Sequence, residues 1–209
     1  MLVRDVMRSP AVSIAAGTTL QDAYRTMREM HIRHLPILDG GALVGVVTDR
    51  DLRLATSSLA PSPFAPDSAV STVMSRAPLT VAAWDPIEDA ARTMRTNKIG
   101  CLPILEDGAL IGIITGLDLL DALIRMTGVE KPSGRIEVRL PDHPGELARL
   151  TTFVSHRGLD IHSILTYPDS GRSVRTVLRI GSIETRLLAH DLRRAEFDVV
   201  WPLDKPCPP

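Results

Sequence analysis

The sequence predicts an α/β (α+β) protein: a βαββα unit written twice as a pseudo-twofold pair, then a βαββαβ unit of ferredoxin-like order. Three observations carry this. The first third of the chain recurs in the second third at a constant offset of 67 residues, the separation of Asp51 and Asp118. Within each copy the apolar spacing switches from helical to strand period. From Gly134 onward the repeat stops and a new alternation begins.

The duplication needs no gap. DVM at Asp5–Met7 meets TVM at Thr72–Met74, and DAYRTMR at Asp22–Arg28 meets DAARTMR at Asp89–Arg95. LPIL recurs at Leu35–Leu38 and Leu102–Leu105, and GALVGVVT at Gly41–Thr48 meets GALIGIIT at Gly108–Thr115. Roughly two in five aligned positions are identical, the mark of a duplicated supersecondary unit. Leu20, Ala23, Tyr24, Met27 and Met30 recur at helical spacing, and Thr18 with Gln21 reads as a capping box. The second copy starts its helix with Asp85, Pro86 and Glu88, placing Pro at the first helical position. Two apolar runs follow, Leu35–Leu38 and Leu43–Val47, split by Asp39-Gly40-Gly41 as in a hairpin. A second helix begins near Asp49, and near Gly116 in the other copy. Residues 56–68 are rich in Ser, Pro and Ala and read as a surface connection.

The last third is different. Lys131-Pro132-Ser133-Gly134 is a linker, and Arg135–Leu140 alternates as a strand. PDHPGEL at Pro141–Leu147 opens a helix with Pro144 at its first position, a stripe of Leu147, Leu150 and Val154, and an end at Gly158. Asp160–Tyr167 and Ser173–Ile180 are strands around a PDSG turn. Ile183–Arg194 is a helix and Phe197–Val200 a final strand. The boundaries are expected at 1–57 and 70–125 for the repeats, with a loop at 58–69. A linker at 126–134, the last domain at 135–203 and a frayed tail at 204–209 complete the division.

Composition excludes several roles. The 209 residues carry 24 Lys and Arg against 25 Asp and Glu, a formal charge of −1, which gives no general grip on nucleic acid. No stretch approaches the ~20 apolar residues that span a bilayer, and Asp5 and Arg8 interrupt any signal pattern at the N-terminus. Cys101 and Cys207 have no CxxC partner, so disulfides and a structural zinc are not expected and the cytoplasm is the default compartment.

Each repeat ends its hairpin on the same corner: GVVTDRDL at Gly45–Leu52 and GIITGLDL at Gly112–Leu119. Thr-x-x-Asp at a strand-to-helix corner is itself a cap, because Thr accepts from the amide three residues on and an acid suits the first turn. A ligand role uses the same geometry, and both readings stand at this point.

The duplicated VM…P(I)L…GhhTxxD unit resembles a pair of CBS domains, together a Bateman module, over Val3 to about Leu123. Arg135–Pro202 resembles an ACT domain through PDHPGELARL and GLDIHSI. The combination is similar to the AcuB-type acetoin-utilisation proteins. What the resemblance implies is a non-catalytic regulator that binds an adenosine nucleotide, AMP, ADP or ATP, or S-adenosylmethionine. It would be a homodimer acting on an unidentified target enzyme or regulator, with no nucleic acid or membrane partner. The alternative is an amino-acid sensor in which the ACT domain reads and the CBS pair is scaffold.

The resemblance implies that each Asp takes a ribose diol, the Thr sits by ribose or phosphate, and the base slot comes from the other repeat's strand entry. One cleft would join Asp118 and Thr115 to Met7, Pro10 and Val12, with Ile32, Arg33 and His34. The other would join Asp51 and Thr48 to Met74, Ala77 and Leu79, with Ile99, Gly100 and Cys101. Arg33 and His34 supply cations to the first, while the second has only Arg50 from its own corner. The Asp118 cleft is therefore expected to favour a phosphorylated nucleotide. An ACT ligand would lie near Asp142, His143, Gly145, Glu146 and Leu147, often at a dimer interface. Asp160 stands where an Asn is often seen, and a fixed carboxylate repels a ligand carboxylate. His31 and His34 suggest no metal, since no carboxylate or Cys completes a zinc set. Cys101 has no adjacent base and reads as apolar filler or pocket wall.

Overall fold

The computed structural model describes residues 1–203, so the tail at 204–209 lies outside the described residues. The chain divides into two compact units, Met1–Leu120 and Asp121–Pro209.

The first unit holds both repeats. Repeat one contains β1 (Ile14–Ala15), α1 (Leu20–Glu29), β2 (His34–Asp39), β3 (Ala42–Thr48) and α2 (Asp49–Ala55). Repeat two contains β4 (Ser75–Arg76), α3 (Ile87–Asn97), β5 (Cys101–Glu106), β6 (Ala109–Thr115) and α4 (Gly116–Thr127), which runs past the unit boundary. The hairpins match in detail, with the same register shift at Ile37/Leu38 and Ile104/Leu105. Ile14 pairs parallel with Ile37, and Val81 repeats this as a single bridge to Ile104.

Each repeat begins inside the other. Val3 is fully buried with Met94, Leu102, Ile104 and Ile114 of repeat two. Val70, its equivalent, is fully buried with Leu20, Met27, Leu35 and Ile37 of repeat one. Burying each valine contributes about 1.5–3 kcal/mol, so the exchange ties the repeats together. The sheets follow the same logic: β4 pairs antiparallel with β3 through Ser75 and Val46, and Arg8 bridges Ile113 on β6. Where the hairpins meet, Val46, Cys101 and Ile113 pack together with Ala11 against them.

Helix starts differ from expectation for local reasons. Thr19, not Thr18, caps α1 by accepting from the Asp22 amide at 3.0 Å. Thr18 is held instead by the crossing segment, its carbonyl accepting from the Val70 amide at 2.8 Å. Pro86 sits at the N-cap of α3 rather than the first helical position.

The second unit is a four-stranded antiparallel sheet in the order β10-β7-β9-β8, built from β7 (Gly134–Pro141), β8 (Ile161–Pro168), β9 (Ser173–Ile180) and β10 (Asp198–Trp201). Two helices, α5 (Glu146–Ser155) and α6 (Arg186–Arg194), cover one face. Ile136, Val138, Leu140, Leu178 and Ile180 bury against Leu150, Val154, Leu188 and Leu192. The strand period of two puts Arg135, Glu137, Arg139 and Arg175 on the other face. There Glu137 is held by Arg135, Arg175 and Tyr167. Gly145, at φ 95°, is the N-cap of α5 and leaves Pro144 outside the helix. A residue with a side chain rarely adopts that φ.

Candidate functional site

Both Thr-x-x-Asp corners are formed, and both are caps. Thr48 ends β3 in an extended conformation and its Oγ1 accepts from the Asp51 amide at 3.1 Å. Asp51 Oδ2 accepts from the Thr48 amide at 2.9 Å and from the Thr48 hydroxyl at 2.7 Å. In the second copy Asp118 Oδ2 accepts from the Thr115 amide at 2.7 Å and its hydroxyl at 2.6 Å. The Asp118 amide reaches Thr115 Oγ1 only at 3.4 Å, a looser bond. The cap uses one carboxylate oxygen in each copy. Asp51 Oδ1 takes no hydrogen bond among the described residues, whereas Asp118 Oδ1 accepts from Arg8 Nε at 3.0 Å.

Two glycines bring the entry segments against these corners. A Cβ on Gly112 would lie 2.9 Å from the Arg8 carbonyl and 3.1 Å from Met7 Sδ. A Cβ on Gly45 would lie 2.5 Å from Met74 Sδ and 3.0 Å from the Ser75 carbonyl. Met7 is thereby joined to the Thr115/Asp118 hairpin, and Met74 to the Thr48/Asp51 hairpin. Sequence reading missed these glycines, although both copies place one three residues before the Thr.

His34 reaches from its own repeat to the other. A Cβ on Gly100 would fall 2.8 Å from His34 Nε2, so the imidazole lies over Gly100, across the repeats. Burial lowers its pKa and Arg33 adds to this, while Asp51 and Asp118 pull the other way. Burial thus works against the cation expected for phosphate.

The chain matches the CBS domain over residues 3–58 and 70–125, and the ACT domain over residues 134–195. It belongs to the CBS-domain family. A CBS domain-containing protein of Dictyostelium discoideum is 38% identical, over 60% of this chain and 93% of that one. Among solved structures, the CBS pair of MJ0100 in complex with 5′-methylthioadenosine and S-adenosyl-L-methionine is similar at 25% identity and TM-score 0.54, covering 63% of this chain and 98% of that one. CBSX2 in complex with AMP is 28% identical with TM-score 0.54, covering 60% and 97%. A chain described as an acetoin utilization protein, AcuB, from Vibrio cholerae is 33% identical with TM-score 0.53, covering 62% and 95%.

Within the CBS pair the other expected residues scatter in role. Val12 and Ile32 pack partly against the core of repeat one, and Ile99 against that of repeat two. Pro10, Ala77, Leu79 and Arg50 are exposed, and Ala77 takes φ 47°. Arg33 lines a groove of about 390 Å³ with Met27, Arg28, His31, Ile32 and Asp49. Its carbonyl accepts from the Asp49 amide at 3.0 Å, and Gly100 repeats this with Gly116 at 3.1 Å. Burial pushes the Cys101 thiol up to about 12, which leaves it a neutral wall between the hairpins.

In the ACT domain, Asp142, His143, Gly145 and Leu147 are exposed, and Glu146 pairs with Arg149 at 2.9 Å. Register separates this loop from Asp160. Pro141 pairs with Ser173 at one end of the sheet, while Ile180 pairs with both Gly134 and Ile161 at the other. A hollow of about 400 Å³ beside Asp160 is lined by Thr151, Thr152, Ser155, His156, Leu159 and Ile161, and by none of the five expected ligand residues. Among the described residues no three His, Cys, Asp or Glu side chains gather as a metal set.

Proposed function

We propose that the CBS pair binds an adenosine nucleotide, AMP, ADP or ATP, or S-adenosylmethionine, as a regulatory ligand, and that the protein has no catalysis of its own. One observation carries the reading. The same capping carboxylate occurs twice, and in each copy the cap engages Oδ2 alone. Asp51 Oδ1 is left to accept from a ribose hydroxyl, a charge-assisted bond of about 1.5–3 kcal/mol, and Asp118 Oδ1 does the same once Arg8 yields it. Met7 and Met74 offer apolar surface beside the two corners, and Arg33, Arg50 and Arg8 are the nearby cations for phosphate. The ligands bound in the MJ0100 and CBSX2 structures support the class.

Binding changes what the protein presents to a partner only where two arrangements differ in affinity for the ligand. We place that partner, an enzyme or regulator, in acetoin or central carbon metabolism on the likeness to AcuB, and the protein in the cytoplasm as a homodimer. Among the described residues no helix is long and apolar enough to cross a membrane. The amino-acid reading is the second one, because the Asp142–Leu147 loop has no support from Asp160, which lies at the opposite end of the sheet.

A melting panel of the four adenosyl compounds against the common amino acids tests the proposal. An adenosyl ligand at ~100 times its Kd adds about 2.7 kcal/mol to folding stability. Stabilisation by amino acids with none by adenosyl compounds contradicts the reading.

A further inference from the structure

The repeat aligns Arg8 with Ser75, and this difference falls on the capping carboxylates. Arg8 lies beside β6, its backbone bonded both ways to Ile113 at 2.9 and 3.0 Å. Its guanidinium Nε donates to Asp118 Oδ1 at 3.0 Å. The Arg8 side chain is 61% exposed and that of Asp118 only 6%, so the guanidinium reaches in from solvent over a buried carboxylate. Ser75 holds the same place beside β3, opposite Val46. Its side chain is one hydroxymethyl group, far too short to do likewise. The Asp118 carboxylate is therefore already engaged on both oxygens, and the Asp51 carboxylate on one.

We propose that Arg8 is a latch on Asp118 that sets the order and selectivity of ligand binding. The inference rests on the adenosyl reading above. A diol reaches Asp118 only by displacing the guanidinium, whereas Asp51 Oδ1 has no such partner among the described residues. A displaced Arg8 regains a partner on a phosphate, since guanidinium and phosphate form forked, charge-assisted hydrogen bonds. An uncharged nucleoside offers no such replacement. Hence the Asp51 corner takes adenosine as well as AMP, and the Asp118 corner takes AMP and resists adenosine. Arg8 adds to this cleft a phosphate preference seated on the carboxylate itself, while the His34 imidazole lies over Gly100.

Calorimetric titration of the full chain with adenosine and with AMP tests this, using the wild type, Arg8→Ser and Ser75→Arg. Both substitutions change exposed side chains, and cooperative melting of the empty proteins confirms that the fold is kept. In the wild type, adenosine fills one site per chain and AMP two. Arg8→Ser opens a second adenosine site by tightening adenosine there at least about tenfold, and erases the preference for AMP there. Ser75→Arg weakens adenosine at the Asp51 corner by about tenfold. Adenosine binding unchanged by both substitutions, with AMP still bound, overturns the latch and leaves the adenosyl reading standing. No heat from either ligand in any of the three proteins overturns both.

Discussion

Asp51 and Asp118 each engage one oxygen with their own helix cap, and that division separates the cap from the proposed ligand contact. Asp51→Asn keeps an accepting oxygen for the Thr48 amide but loses the charge that strengthens a bond to ribose. It is expected to weaken AMP at that corner by about 1.5–3 kcal/mol in a calorimetric titration while costing the fold little. Thr48→Val, in contrast, removes the cap acceptor and lowers stability by about 1 kcal/mol in urea. His34 gives a pH signature. Its pKa is lowered in the fold by burial and by Arg33, so below the ordinary value of 6.5 the unfolded chain binds more protons. The stability this neutral ring supports is complete above that pH and is lost as pH falls through and below it. Urea unfolding at pH 7.5 and pH 5 should show a larger loss for the wild type than for His34→Asn. Thr and Asp were legible at this scale because the repeat preserves them inside a variable corner. Arg8 was not, because it meets Asp118 across 110 residues and by a bridge that periodicity does not register.

At the scale of elements, the helices and hairpins were legible because helical and strand periods alternate cleanly in both copies. The crossing of each entry segment onto the other repeat was not. It depends on Val3 and Val70 finding distant cores, and no local pattern encodes that. The same crossing moved the α1 cap from Thr18 to Thr19. Gly45 and Gly112 are where the crossing presses hardest on β3 and β6. Gly112→Ala sets a methyl against the Arg8 carbonyl, which cannot rotate away, and should cost about 1–3 kcal/mol in urea unfolding. Lys98 ends α3 at φ 55°, a left-handed conformation that costs a non-glycine residue about 1 kcal/mol. Lys98→Gly should raise stability by roughly half that amount, because glycine adds chain entropy when unfolded.

For the whole molecule, the order of two CBS repeats and an ACT domain was legible from the offset and the change of pattern at Gly134. The separation of the Asp142–Leu147 loop from Asp160 was hidden, because it follows from strand order and register rather than from the residues themselves. So was the ionic layer on the open ACT sheet. Burial acts to raise the Glu137 pKa, but hydrogen bonds from Tyr167, Arg135 and Arg175 outweigh it and hold it below the usual range. Glu137→Gln should lower stability by about 1 kcal/mol, a modest loss because the flanking arginines stand at the solvent edge. It should leave AMP binding unchanged, since the ionic layer belongs to the other unit. The central claim is that two duplicated carboxylates hold an adenosyl ligand in the CBS pair. Its most direct test is a calorimetric titration of AMP into the wild type and into the Asp51→Asn/Asp118→Asn double variant. The account predicts saturable binding to the wild type and none at the same concentrations to a double variant that still melts cooperatively. Equal binding by both proteins, or by neither, contradicts it.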